Sequence, residues 1–227
     1  MIRHTKRVTS PVFWKAGRKN AVWVTSPAPG PHPADFSIPL QVLVRDVLGL
    51  VETAREAKAA IRAGHVLVDD VPRKNHKFPV GLMDVVSIAP LGKYYRVVPC
   101  PKGLRVVEIP KKEASLKPAR VVSKQAVSSK VQVTLHDGRN FLDIKASPGD
   151  TVVLKGGKPS KVLKLEKGAL CLIVRGGRAG RMGKLLSVER GLARLEGNKD
   201  VFEAPVEYVM VIGEKEPVVK LYEASND

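Results

Sequence analysis

The chain has 227 residues, and its 39 lysines and arginines outnumber its 22 aspartates and glutamates to give a net charge of +17. Hydrophobic residues make up 44% of it, enough to build a core, which excludes a purely disordered basic tail. An excess of this size points to a polyanionic partner, nucleic acid ahead of an anionic membrane surface, because each neutralised phosphate releases condensed counterions.

The first 36 residues set Arg3, Lys6, Arg7, Lys15, Arg18 and Lys19 against a single acid, Asp35, and hold both tryptophans, Trp14 and Trp23. Prolines at 27, 29, 31 and 33 remove amide donors and favour polyproline geometry, so this stretch reads as a connector lying along a surface. The alternative is a disordered tail that a polyanion would order. No apolar run reaches 18 residues and the N-terminus lacks a signal-peptide stretch, so the expectation is a soluble, intracellular chain.

From Pro39 the pattern turns helical, with Leu40, Leu43, Val44, Val47 and Leu48 on one stripe, Ser37 and Pro39 at its start and Gly49 at its end. Thr53-Ala-Arg-Glu56 is a capping box opening a second helix. Ala54, Ala57 and Ile61 share its packing face, and Arg55, Lys58 and Arg62 form an adjoining cationic one. The short β-type runs His65–Val68 and Val85–Ile88 follow, separated by an Asp69-Asp70 turn and the cluster Arg73-Lys74-Asn75-His76-Lys77.

After Leu91 the sequence is β-rich, with segments at 94–98, 104–109, 120–122, 131–135, 140–144, 151–154 and 162–165, and with Asp137-Gly138 as a hairpin signal. Ala169–Val174 and Leu185–Val188 read as strands flanking a loop, Arg175–Lys184. In it Arg175, Arg178, Arg181 and Lys184 recur every third residue among glycines, with no acid between Glu166 and Glu189. Glycines let backbone amides approach phosphates and the cations add charge.

This loop is not a P-loop: the position five before Gly183 is Arg178, and Lys184 is followed by Leu185 where Ser or Thr is needed. No nucleophile sits in an activating context, so no catalytic residue is expected, and the adjacent Asp69 and Asp70 read as an acidic turn. Cys100 and Cys171 lack zinc-finger spacing, so no metal or cofactor is expected; a disulfide between them is open, with free thiols the commoner state in a reducing cell. His65 and His76 stand where phosphate or base contact is expected, or simple exposure. Aromatic residues are only 5%, which favours structured RNA held by phosphate and shape over a single-strand stacking platform.

Leu40-x-x-Leu-Val-Arg-Asp-x-Leu-Gly-Leu-Val51, Thr53-Ala-Arg-Glu-Ala-Lys58, Ile61-x-x-Gly-His-Val-Leu-Val68 and Gly81-x-x-Asp-Val-Val-Ser-Ile88 together resemble the S-four-type RNA-binding domain. The later strand, glycine loop and strand resemble a KOW motif. Their order, with His4-x-Lys-Arg7, Pro11-x-x-Trp14, Gly30-Pro-His32, Gly81-Leu-Met-Asp84 and Val211-Ile-Gly213, resembles the archaeal and eukaryotic small-subunit ribosomal protein family S-four-e over nearly the whole chain.

The resemblance implies an α+β, multi-module protein: a basic extension (1–38), a small α/β S-four-type domain (39–91), a β-rich central domain (92–167), an SH3-like β-barrel KOW domain (168–213) and a tail (214–227). It implies a non-enzymatic component of the cytoplasmic small ribosomal subunit. Its partners would be small-subunit ribosomal RNA and neighbouring ribosomal proteins, with no membrane, cofactor or small-molecule substrate. The RNA contacts expected are Arg3, Lys6, Arg7, Lys15, Arg18, Lys19, Arg45, Arg55, Lys58, Arg62, His65, Arg73, Lys74, His76, Lys77, Arg175, Arg178, Arg181 and Lys184. The rivals are an RNA-modifying enzyme, for which about 75 residues between the two modules are too few, and a transcription-elongation factor.

Overall fold

In the computed structural model, which describes residues 5–17, 21–127, 130–197, 200–214 and 216–221, the proline-spaced segment is laid down on its neighbours by specific anchors. Trp14 is buried and its indole Nε1 donates to the Ser37 carbonyl at 2.8 Å. Ala28 N donates to the Lys77 carbonyl at 2.8 Å, and Nε2 of buried His32 stands 3.0 Å from Oδ2 of buried Asp84. The Asp84 carboxylate also accepts from Gly81 N at 2.9 Å, and a Cβ on Gly81 would collide with the His32 ring. The two short motifs Gly30-Pro-His32 and Gly81-Leu-Met-Asp84 therefore meet in space, and the described part of the extension is docked rather than a loose tail. Arg3, Arg18 and Lys19 lie outside the described residues.

Contacts divide the described residues into two units, one drawn from 1–97 and 102–114, the other from 98–101 and 115–227. In the first unit the apolar stripe after Pro39 forms one α-turn, Leu40–Val42, that widens into a π-helical stretch, Leu43–Val47; Leu48 N reaches back five residues to the Leu43 carbonyl at 2.9 Å. Gly49 closes it at φ +63°, where a side chain would be strained. The helix Ala54–Arg62 starts at the expected capping box: the Thr53 side chain accepts from Glu56 N, and the Glu56 carboxylate accepts from Thr53 N. Ala57 and Ile61 point into the core with Leu40 and Leu43.

A five-stranded sheet, all of it in this unit except residues 98–100, runs in the order Val71–Pro72, Val66–Val68, Val85–Ile88, Lys93–Cys100, Gly103–Ile109. Asp69 and Asp70 both adopt positive φ, 51° and 63°, between the paired Val68 and Val71: a two-residue turn whose handedness matches strand twist. Asp69 Oδ1 accepts from Val85 N at 3.1 Å, which secures it without glycine. Fully buried Arg96 donates to the Glu113 carbonyl at 2.8 Å; burial lowers its pKa to about 10 against the raising influence of Glu113 and Asp69.

The second unit holds two five-stranded antiparallel sheets. One runs Asn140–Leu142, Lys130–Leu135, Leu116–Val127, Thr151–Lys155, Lys158–Leu163, and the expected hairpin turns at Gly138, φ +76°. The other runs Val201–Pro205, Leu192–Glu196, Met182–Glu189, Leu170–Ile173, Val209–Gly213. Val153 and Leu163 of the first sheet share one core with Cys171, Ile173, Leu195 and Val211 of the second. Arg120 adds a polar tie, donating to the Glu207 and Val206 carbonyls at 2.8 and 3.3 Å. The chain is thus β-rich with few helices, and both cysteines are free thiols.

Candidate nucleic-acid interface

The cationic face of Ala54–Arg62 acquires neighbours through the 73–78 loop. Asn75 Oδ1 accepts from Lys77 N at 2.9 Å, an Asx turn, and Phe78 N bonds the Asn75 carbonyl at 3.1 Å. Three carbonyls of this loop are then held from outside it: His76 O by Gln41 N, Lys77 O by Ala28 N and Phe78 O by Leu40 N, at 2.8 to 2.9 Å. With its backbone so fixed, the loop sets half-buried His76 and Lys77 beside Lys58 and Arg62. Burial lowers the His76 pKa first, and the charges of Lys58, Lys77 and Arg62 lower it further. Those four groups therefore form one electrostatic cluster.

The cluster opens on a groove of about 290 Å³ whose walls include Trp23, Arg45, Ala54, Lys58, His76 and Lys77. Arg45 is steered by Asp46, whose Oδ2 accepts from its Nε and Nη2 at 3.1 and 2.7 Å. Arg55, Arg62, His65 and Lys74 are exposed, and Arg73 stacks its guanidinium 4.6 Å from the Phe78 ring centre. In the extension Lys6 and Lys15 are exposed. Arg7 is not: it is buried, donates to the Gly17 and Trp23 carbonyls, and pairs with Asp46 at 3.6 Å. Its charge holds the extension onto the helical segment.

The glycine-rich basic stretch is shorter than its sequence suggests. Only residues up to Arg181 form the turn; Met182, Gly183 and Lys184 are already in the strand, paired with Leu172, Cys171 and Leu170. Gly183 is a packing requirement there, since a Cβ would lie 2.9 Å from the Glu196 carbonyl oxygen. All four cations are exposed, yet the stretch is not acid-free in space. Arg181 Nη1 lies 3.3 Å from the Asp200 carboxylate, Arg178 donates to the Glu203 carbonyl at 3.2 Å, and Lys184 stands opposite Glu196. The strands Leu192–Glu196 and Val201–Pro205 bring these partners in. Sequence reasoning passed over them, though the alternation of exposed Leu192, Arg194 and Glu196 with buried Ala193 and Leu195 signalled the first.

Comparison with known proteins matches residues 1–35 to the RS4NT (NUC023) domain, 38–86 to the S4 domain and 91–158 to Ribosomal family S4e. The small ribosomal subunit protein eS4 of Staphylothermus marinus is 39% identical, over 98% of this chain and 97% of its own length. That of Pyrobaculum calidifontis is 41% identical, over 96% and 99%. The crystal structure of the 30S ribosomal protein S4e from Thermoplasma acidophilum is similar at a TM-score of 0.70 and 30% identity, covering 79% of this chain and 96% of that one. With relatives aligned from end to end, and with an S4 domain where the capped helix and its cationic face lie, this chain belongs to the ribosomal S4e family.

Proposed function

We propose that the chain is a structural component of the small ribosomal subunit in the cytoplasm, binding ribosomal RNA at several sites and carrying out no catalysis. The cluster of Lys58, Arg62, His76 and Lys77 carries this reading: the groove it borders is lined by Arg45, Lys58, His76 and Lys77 with no acidic side chain among the described lining, and burial first, then the charges of Lys58, Lys77 and Arg62, lower the His76 pKa. A phosphate backbone supplies the missing negative charge. The contacts are Arg45, Arg55, Lys58, Arg62, His65, Arg73, Lys74, His76 and Lys77 in the S4 module, Lys6 and Lys15 in the extension, and Arg175, Arg178, Arg181 and Lys184 in the last sheet. That sheet is an SH3-like KOW module; the strand pair Leu170–Ile173 and Met182–Glu189 around a basic glycine turn supports it. Several weak modules on one chain bind tightly because each raises the effective concentration of the next. Neighbouring ribosomal proteins are the further partners.

The test is salt-dependent binding to small-subunit ribosomal RNA. Replacing Arg55, Lys58 and Arg62 together by glutamine should reduce the slope of log affinity against log salt by about two to three units, near 0.7 to 0.9 for each phosphate no longer neutralised. A slope equal to that of the parent would remove this face from the interface.

A further inference from the structure

The expected RNA contacts leave out the central sheet, although lysine recurs at its end at 155, 158, 161, 164 and 167, every third residue. All five are exposed, but the fold does not treat them alike. Lys161 Nζ lies 2.7 Å from the Glu214 carboxylate, and Lys164 Nζ lies 3.6 Å from that of Glu166. Lys155 and Lys158 instead face each other across the tip of the hairpin that joins Thr151–Lys155 to Lys158–Leu163. Among the described residues no carboxylate lies within ion-pair distance of either. Side chains directly opposite on antiparallel strands stand about 4.5–5.5 Å apart at Cβ, and like charges so placed are destabilising. Elsewhere in the described strand registers, charges that face each other are of opposite sign, Lys184 with Glu196 and Arg194 with Glu203.

The turn holds this repelling pair in place. Gly156 and Gly157 both adopt positive φ, 54° and 78°, the two-residue geometry that fixes the register, and Gly156 N donates to the Ser115 carbonyl at 3.0 Å. The turn is also bare: a Cβ on either glycine would meet nothing within 4 Å, so a partner can come close to the backbone between the two ammonium groups. An RNA strand carries a phosphate at every nucleotide and can meet both lysines from one direction, whereas one acidic side chain would match one lysine and leave the other. Resting on the RNA-binding reading above, we propose that the tip Lys155-Gly-Gly-Lys158 is a further RNA contact, its two lysines clasping phosphates of the ribosomal RNA over the glycine turn. The central sheet thereby becomes an anchoring point in its own right, one more linked site that raises the effective concentration of the others.

The test uses the full chain and small-subunit ribosomal RNA. Lys155→Gln with Lys158→Gln should lower the slope of log affinity against log salt by about 1.4 to 1.8 units, two phosphates at roughly 0.7 to 0.9 each. Lys161→Gln with Lys164→Gln removes the same charge from lysines already matched by acids, and should lower it far less. Lys158→Glu makes the facing pair attractive, so its melting temperature should equal or exceed that of the parent while its RNA affinity falls, which separates a lost contact from a lost fold. With RNA bound, Lys155 and Lys158 should be shielded from acetic anhydride, read by peptide mass mapping. A parent-like slope in the first double variant, or equal falls in both, would overturn the proposal and leave the general RNA-binding reading standing. Shielding that appears only once other subunit proteins are added would assign the tip to a neighbouring protein and overturn it as well. A parent that binds no RNA would remove the underlying reading and the proposal with it.

Discussion

Trp14 decides whether the extension is part of the folded protein before any RNA is present. Its side chain is 2% exposed and its Nε1 donates to the carbonyl of fully buried Ser37 at 2.8 Å. Truncating a buried tryptophan to alanine costs about 3–5 kcal/mol. Stranding the Ser37 carbonyl without its donor adds about 1 kcal/mol or more. The sum is about 4–6 kcal/mol, and at roughly 4 °C per kcal/mol for a unit near 100 residues the melting temperature should fall by about 16–24 °C. Trp14→Phe keeps most of the ring and loses the hydrogen bond, so about 1–2 kcal/mol and roughly 4–8 °C are expected. Undocking of the extension alone is the first step of the loss, so trypsin cleavage after exposed Lys6 and Lys15 should accelerate in parallel. Melting by circular dichroism and a cleavage time course, both on RNA-free protein, measure the two effects. If Trp14→Ala melts within about 2 °C of the parent and is cut no faster, the extension is not docked in solution and Trp14 is not its anchor.

The remaining predictions concern titration and thiol reactivity. Because the His76 pKa in the folded chain lies below its ordinary 6.5, the unfolded imidazole takes up a proton first as pH falls. The stability tied to a neutral His76 is therefore complete above the unfolded pKa and is lost as pH falls through the folded one. Urea unfolding between about pH 7 and 5 should be less pH-dependent in His76→Gln, and an identical slope in the variant would contradict this. Bound phosphates should raise the same pKa, so RNA affinity should rise on acidification in the parent more than in the variant. Cys171 is fully buried and its pKa is pushed up to about 12 by burial, while Cys100 is half-buried. Iodoacetamide on the native protein, followed by peptide mass mapping, should label Cys100 before Cys171. Early label at Cys171 would show that its core opens.

What could be read from the sequence was what neighbours along the chain determine. Thr53 and Glu56 complete a capping box within one turn, Gly49 stops a helical stretch by its φ, and Asp137-Gly138 turns a hairpin. The Asp69-Asp70 turn was legible as a turn, but its secure geometry depends on Val85, sixteen residues away. Side-chain fate was harder. Arg7 and Lys6 are adjacent in one basic run, yet one is buried against Asp46 and the other exposed. Both tryptophans lie in the same basic segment, and only the fold separates Trp14, 2% exposed, from Trp23, 53% exposed. The stretch between Glu166 and Glu189 is free of acid along the chain, but cross-strand pairing sets Asp200 and Glu196 against its cations. Buried Arg96 had no local signal, because what holds it, the Glu113 carbonyl, comes from the far end of the unit.

The place of the strand Val209–Gly213 bears on how the protein is made. It pairs with Leu170–Ile173, synthesised almost forty residues earlier, and contributes Val209 and Val211 to the core that also holds Val153 and Leu163. A chain emerging from its own synthesising ribosome has all the residues of the first unit available as soon as residue 114 is clear. The second unit is available in full only later. Until residue 213 emerges, its apolar strands wait with an open edge, during the interval in which a nascent chain is most exposed to aggregation and to chaperones.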